Sequence, residues 1–117
     1  MKFGRRRIID LQKARAEVDA IDDRLIELLM RRMEITHWIG AYKRTQDLPV
    51  LDAQREAALL AARSERVQSA KDKAMVRVFF RALMAISRLE QEGGMRVDVS
   101  EQSIARAISS ALAWEEA

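Results

Sequence analysis

Apolar residues recur along the first part of the chain at Leu11, Ala14, Val18, Ile21, Leu25 and Leu28, and again at Ile35, Ile39 and Tyr42. The alternating steps of three and four are those of a helix with a narrow apolar seam. They predict a first helix from about Ile9 to Arg44, with Asp10 as a first-turn acid suited to the helix dipole. The seam is interrupted at Arg32, where the phase calls for an apolar side chain. A buried cation without an anion costs on the order of several kcal/mol, so Arg32 calls for one. Lys43 follows about three turns later, within ~20° of the same stripe at ~3.6 residues per turn. Two cations on one buried face, with Ile39 between them, read as an anion pocket.

The pattern stops at Thr45-Gln46-Asp47-Leu48-Pro49. Pro49 cannot continue a helix and drives Leu48 out of the α region. A second helix is predicted from about Ala53 to Val67, with Asp52 as its N-cap and Glu56 and Leu59 following on one face. On pattern alone Asp52 reads as a cap and Glu56 as a first-turn acid. A third helix is predicted from about Lys71 to Glu92, stopping at Gly93-Gly94. Its core stripe is Met75, Val78 or Phe79, Ala82, Ile86 and Leu89. A second stripe, Phe80, Met84, Ser87 and Gln91, begins apolar and turns polar without charge. Ser87 and Gln91 alone would be boundary residues; they gain interest because Arg32 and Lys43 call for a lined cavity. Residues 8–94 form the main helical domain in this reading. Residues 95–117 form a C-terminal extension in which Ser100 caps a helix carrying Ile104, Ile108, Ala111 and Leu112, with Trp114 beside them. Docking on the body, mediating association and fraying all fit this extension.

A first helix of that length is a rod of about 50 Å. A compact domain of this size has a radius of gyration of only ~13 Å. A second subunit is therefore expected to cover the seam, giving a homodimer. Arg15 lies roughly 100° off the stripe and ~25 Å from Arg32 along the axis, so it cannot join Arg32 within one subunit. In an antiparallel dimer it could reach the partner's site.

Composition narrows the class. The chain has 117 residues, 49% apolar and 33% charged, with one proline and four glycines. That suits a single all-α domain with a modest core. Cysteine is absent and His37 is the one histidine, which excludes disulfides, thiolate metal sites and multi-histidine sites. No metal ligand set is present, and no metal is expected. No apolar run approaches the ~18 residues of a membrane span. The basic start, Met1 to Arg7, lacks the apolar segment of a secretory signal, so a cytoplasmic protein is expected. A net charge of +3 is mild, and Arg5, Arg6 and Arg7 lack interleaved aromatics. They read as a solvated terminus, and no nucleic-acid partner is expected.

The candidate site residues are Arg15, Arg32, Lys43, Asp52, Arg55, Glu56, Ser87 and Gln91. Cations outnumber carboxylates, and no nucleophile–base pair accompanies them. Such a set can hold a small dianion and donate hydrogen bonds to an atom that gains negative charge in a transition state. It is poorly equipped for covalent or metal-assisted hydrolysis.

Leu11, Arg15, Val18-Asp19, Ile21-Asp22, Leu25-Ile26, Leu28-Leu29, Arg32-Met33, Ile39-Gly40, Tyr42-Lys43, Leu48-Pro49-Val50, Asp52 and Arg55-Glu56, in this order and spacing, resemble the all-α chorismate mutases. With Ser87 and Gln91 the resemblance covers about residues 8–92. It implies an intertwined helical homodimer of three-helix protomers with two composite active sites. The implied reaction is the Claisen rearrangement of chorismate to prephenate in aromatic amino acid biosynthesis, which needs no cofactor. In that scheme Arg15 from the partner subunit and Arg32 bind the two carboxylates. Lys43 and the Gln91 amide donate to the ether oxygen. Glu56 and the Asp52 region engage the ring hydroxyl, Ser87 adds a polar contact, and Arg55 borders the pocket. Ile39, Leu59 and Met84 are its apolar walls.

Two features depart from the family pattern. Arg88 stands where a small apolar wall residue is usual, and is expected to point outward or to the rim. Residues 95–117 lie outside the pattern and could bind another enzyme of the pathway. No dehydratase or dehydrogenase domain follows, so a stand-alone form is expected. The same fold could act on isochorismate as a pyruvate lyase, or on 4-amino-4-deoxychorismate; Glu56 favours the mutase over the lyase. A non-catalytic helical interaction module is the alternative of another class, but it gives no reason for Arg32 on the seam.

Overall fold

The computed structural model describes residues 10–92 and 99–113. These contain four α-helices and no strand: α1 (Leu11–Thr45), α2 (Ala53–Ser64), α3 (Ala70–Glu92) and α4 (Glu101–Ala113). The all-α expectation holds. Gly93-Gly94 and Trp114 lie outside the described residues. Among the described residues no helix is long and apolar enough to cross a membrane. The chain divides after Arg32 into two compact units, within the unbroken helix α1.

In the first unit, α1 begins one residue after Asp10. The sequence reading placed Asp10 inside the first turn; it is instead the cap. Its Oδ1 accepts from the backbone N–H of Gln12 at 3.0 Å and of Lys13 at 3.4 Å, satisfying donors that an open helix start leaves free. The predicted seam is helical and uncovered: Val18, Ile21, Leu25 and Leu28 are each about half exposed.

The second unit holds the last turns of α1 and helices α2 to α4. α1 ends as a Schellman motif. The Leu48 N–H bonds the Lys43 carbonyl at 2.8 Å and the Asp47 N–H bonds that of Arg44 at 3.3 Å. Asp47 takes the left-handed position, φ 56°, and Pro49 follows where the helix cannot resume. Asp52 caps α2 as predicted, its Oδ1 accepting from the Arg55 N–H at 3.0 Å. α2 stops at Ser64, short of the expected Val67. Lys73 of α3 reaches back to the carbonyls of Ser64 and Val67 at 3.0 and 2.8 Å, supplying the donors that helix continuation would have given. Ser69, one residue before α3, caps it by accepting from the Asp72 N–H at 3.0 Å.

The core of this unit is Leu60 of α2 with Leu83, Met84 and Ala85 of α3. α4 packs along α3 through a half-buried stripe of Ser103, Ile104, Ala107, Ile108 and Ala111. Ser100 caps α4 reciprocally with Ser103: each backbone N–H meets the other's hydroxyl, at 2.8 and 3.2 Å. This is a capping box with serine in the third position.

Candidate active site

A glycine sets the geometry of the junction between α1 and α3. A Cβ added at Gly40 would lie 2.6 Å from the Cα and 2.8 Å from the carbonyl carbon of Gln91. The two backbones therefore touch at a point only glycine permits. One turn further along α1, Lys43 lies over the Gln91 side chain. Its Nζ donates to Gln91 Oε1 at 2.8 Å and to the Val50 carbonyl at 2.7 Å. Arg44 Nη1 donates to the Gln91 carbonyl at 2.8 Å. An ammonium has no acceptor, so the amide oxygen must face Lys43 and the amide NH₂ remains the donor of Gln91. At the exposed edge of the same junction, His37 Nδ1 meets Glu90 Oε2 at 3.1 Å.

A second polar pair ties α2 to α3. Arg88 Nη1 donates to both carboxylate oxygens of Glu56, at 2.6 and 2.5 Å, with the side chains 27% and 23% exposed. The expected outward or rim placement of Arg88 is thus replaced by an inward one. Arg88 falls on the face of α3 that carries Met84, and that face meets α2 where Glu56 stands one turn inside the cap. Pairing in a partly desolvated place is stronger than at an open surface. Glu56 consequently presents a neutralised carboxylate.

Beside this pair lies a cavity of about 630 Å³ whose walls include Glu56, Leu60, Met84 and Arg88. Met84 is buried and lines this cavity. Leu59 and Ile39 are half-buried and do not line this cavity. Leu60, one position on, takes the wall of α2, because Ala53, Glu56, Ala57, Leu60 and Ala61 form the stripe that faces it.

Ser87 is buried and its hydroxyl donates to the Leu83 carbonyl at 2.9 Å, so its hydrogen is committed to its own helix. Asp52 is exposed and occupied in capping, and Arg55 is exposed. Arg15 is exposed and Arg32 half-buried, both in the first unit. Among the described residues no group of three or more histidine, cysteine or acidic side chains could hold a metal.

Sequence reasoning missed the positioning roles of Gly40 and Arg44. A glycine inside a helix costs about 1 kcal/mol against alanine, which by itself signals close backbone approach. Arg44 carries no such signal, because its partner is a backbone carbonyl far along the chain. In chemical terms the junction holds an ammonium and an amide N–H donor in fixed relation, with no activated nucleophile beside them. That arrangement suits stabilisation of a developing negative charge.

Comparison with known proteins fits these observations. Residues 14–92 match the family described as chorismate mutase type II. That span contains every candidate site residue and ends before α4. The T-protein of Enterobacter agglomerans is 31% identical over 62 residues, covering 53% of this chain and 17% of the relative. The T-protein of Haemophilus influenzae is 35% identical over 60 residues, covering 51% of this chain and 16% of the relative. The chain thus spans about a sixth of the length of these curated relatives. No solved structure matches it.

Proposed function

The chain belongs to the chorismate mutase type II family, and from that premise we propose that it converts chorismate to prephenate by a Claisen rearrangement. The observation that carries the reading is the Lys43–Gln91 contact at 2.8 Å, anchored by the Val50 carbonyl. The reaction is unimolecular: one C–O bond breaks as one C–C bond forms, with no proton transfer required. Negative charge grows on the ether oxygen as the C–O bond lengthens. An ammonium and an amide NH₂ already held in place can meet that charge without reorganising. Selecting the folded conformer of the substrate supplies the rest. On the family pattern, Arg32 and Arg15 from a second copy take the substrate carboxylates, which suit guanidinium forks. Glu56 faces the ring hydroxyl already paired with Arg88, and so acts as a hydrogen-bond acceptor without surplus charge. Asp52, Arg55 and Ser87 remain at the margin of the site in this scheme.

The composite site requires a homodimer. Its support is the open seam of α1, where Val18, Ile21, Leu25 and Leu28 stay about half exposed.

Incubation with chorismate, isochorismate and 4-amino-4-deoxychorismate, followed by chromatography and mass measurement of the product, tests the proposal. Chorismate should be consumed to a product of unchanged mass. Loss of pyruvate from isochorismate, or turnover of only the amino analogue, would reassign the substrate. Lys43→Ala should lower kcat by about 10²–10³, the usual effect of removing a charge-stabilising donor. Unchanged activity in Lys43→Ala would remove this site from the chemistry.

A further inference from the structure

Glu56 and Arg88 are held so that little net charge is left to face a substrate. Arg88 Nη1 lies 2.6 and 2.5 Å from the two carboxylate oxygens of Glu56. Both side chains are largely withdrawn from solvent. The pair lines a cavity that it shares with the buried Leu60 and Met84. The side chains that α4 adds to that lining, Ala107, Ser110 and Ala111, carry no charge. Water screens less well there than at an open surface, so cancelling one charge with another matters more. Arg77 and Arg81 also line the cavity and have interactions of their own; their charge is the same whichever substrate group meets Glu56.

On the mutase reading, Glu56 meets the ring position that carries a hydroxyl in chorismate and an amine in 4-amino-4-deoxychorismate. A hydroxyl needs only an acceptor, and a carboxylate paired with a guanidinium still has lone pairs to offer. An alkyl amine is protonated near neutral pH. An ammonium loses hydration on entering and needs net negative charge in return. A lone carboxylate would supply that charge; one cancelled by Arg88 does not. A lone carboxylate would also oppose the two carboxylates of chorismate.

We propose that Arg88 is a positioning residue that sets substrate selectivity. By holding and neutralising Glu56, it fits the site to a hydroxyl-bearing ring and against an ammonium-bearing one. This role rests on the mutase reading and narrows the substrate class within it. The charge at that ring position is the same in the ground and transition states, so the effect falls on KM more than on kcat.

Steady-state kinetics of the full chain with chorismate and with 4-amino-4-deoxychorismate tests the role. The parent should favour chorismate in kcat/KM by at least about tenfold. Arg88→Gln leaves Glu56 a donor but no cation. It should narrow the preference about tenfold, raising KM for chorismate and lowering it for the amine. Arg88→Met, without the donor, should narrow it as far. Arg88→Lys restores the cation without the fork and should hold the preference within about threefold of the parent. A purely structural role would slow both substrates alike and leave the ratio where it was. An unchanged ratio in Arg88→Gln and Arg88→Met, or as great a fall in Arg88→Lys, would overturn the role of Arg88 while chorismate turnover upholds the mutase reading. A parent that treats both substrates alike, or prefers the amine, would overturn it too. A parent inactive on both would remove the mutase reading, and the role of Arg88 with it.

Discussion

The two ends of α1 carry the same kind of sequence and meet different fates. From Leu11 to Arg32 the apolar seam is open, with Val18, Ile21, Leu25 and Leu28 about half exposed. From Met33 to Thr45 the helix is anchored: Thr36 is buried, Gly40 is pressed on Gln91, and Lys43 and Arg44 bond that same residue. Periodicity says which face of a helix must be covered, and nothing about what covers it. The anchored end finds its cover within the chain. The open end is the face on which the proposed second copy would sit.

Breaking that contrast at the open end should have the largest effect. Val18→Glu with Leu25→Glu places two carboxylates on the seam, where each apolar side chain otherwise contributes about 1.5–3 kcal/mol on full burial. Sedimentation should show a monomer in place of the proposed dimer, with mutase activity lost alongside it. A dimer that survives both substitutions would show that the seam is not the interface. At the anchored end, Gly40→Ala forces a methyl group against the Gln91 backbone and should lower stability by about 1–3 kcal/mol, measured by denaturant unfolding. Because the backbone itself must shift, kcat should fall with it.

The α2–α3 pair is a milder lever. Arg88→Met removes the partner of a partly buried carboxylate and should cost about 1–2 kcal/mol in the same unfolding measurement. The smallest effect is expected at the end of the anchored stretch. Asp47→Gly relieves the left-handed conformation, φ 56°, but frees the unfolded chain, so the net gain should be under about 1 kcal/mol. A loss of stability there would show that the Asp47 side chain contributes more than its backbone costs.

Much of the fold is legible in the sequence because its signals are local. The three–four spacing marks α1, Pro49 marks the break, and Asp52 and Ser100 announce α2 and α4. Where the signal is a contact between distant residues, reading the sequence fails. α2 ends at Ser64, where Lys73 from the next helix takes the carbonyls of Ser64 and, beyond the helix, Val67. Arg88 turns inward because Glu56 stands opposite it. Of the candidate site, Lys43 with Gln91 is legible as a pair of residue types the chemistry needs. Their contact depends on Gly40, whose meaning appears only once α3 is in place.

Gln91 occupies the last turn of α3, a place where helices ordinarily fray. Here α1 grips it by its side chain, its carbonyl and the absence of a Cβ on Gly40. Local opening of that turn would require α1 to detach as well, so this end belongs to the larger cooperative unit of the fold. As temperature rises the donor pair should not drift apart by degrees. It should persist until the unit melts, and activity should disappear over the same narrow interval as the structure.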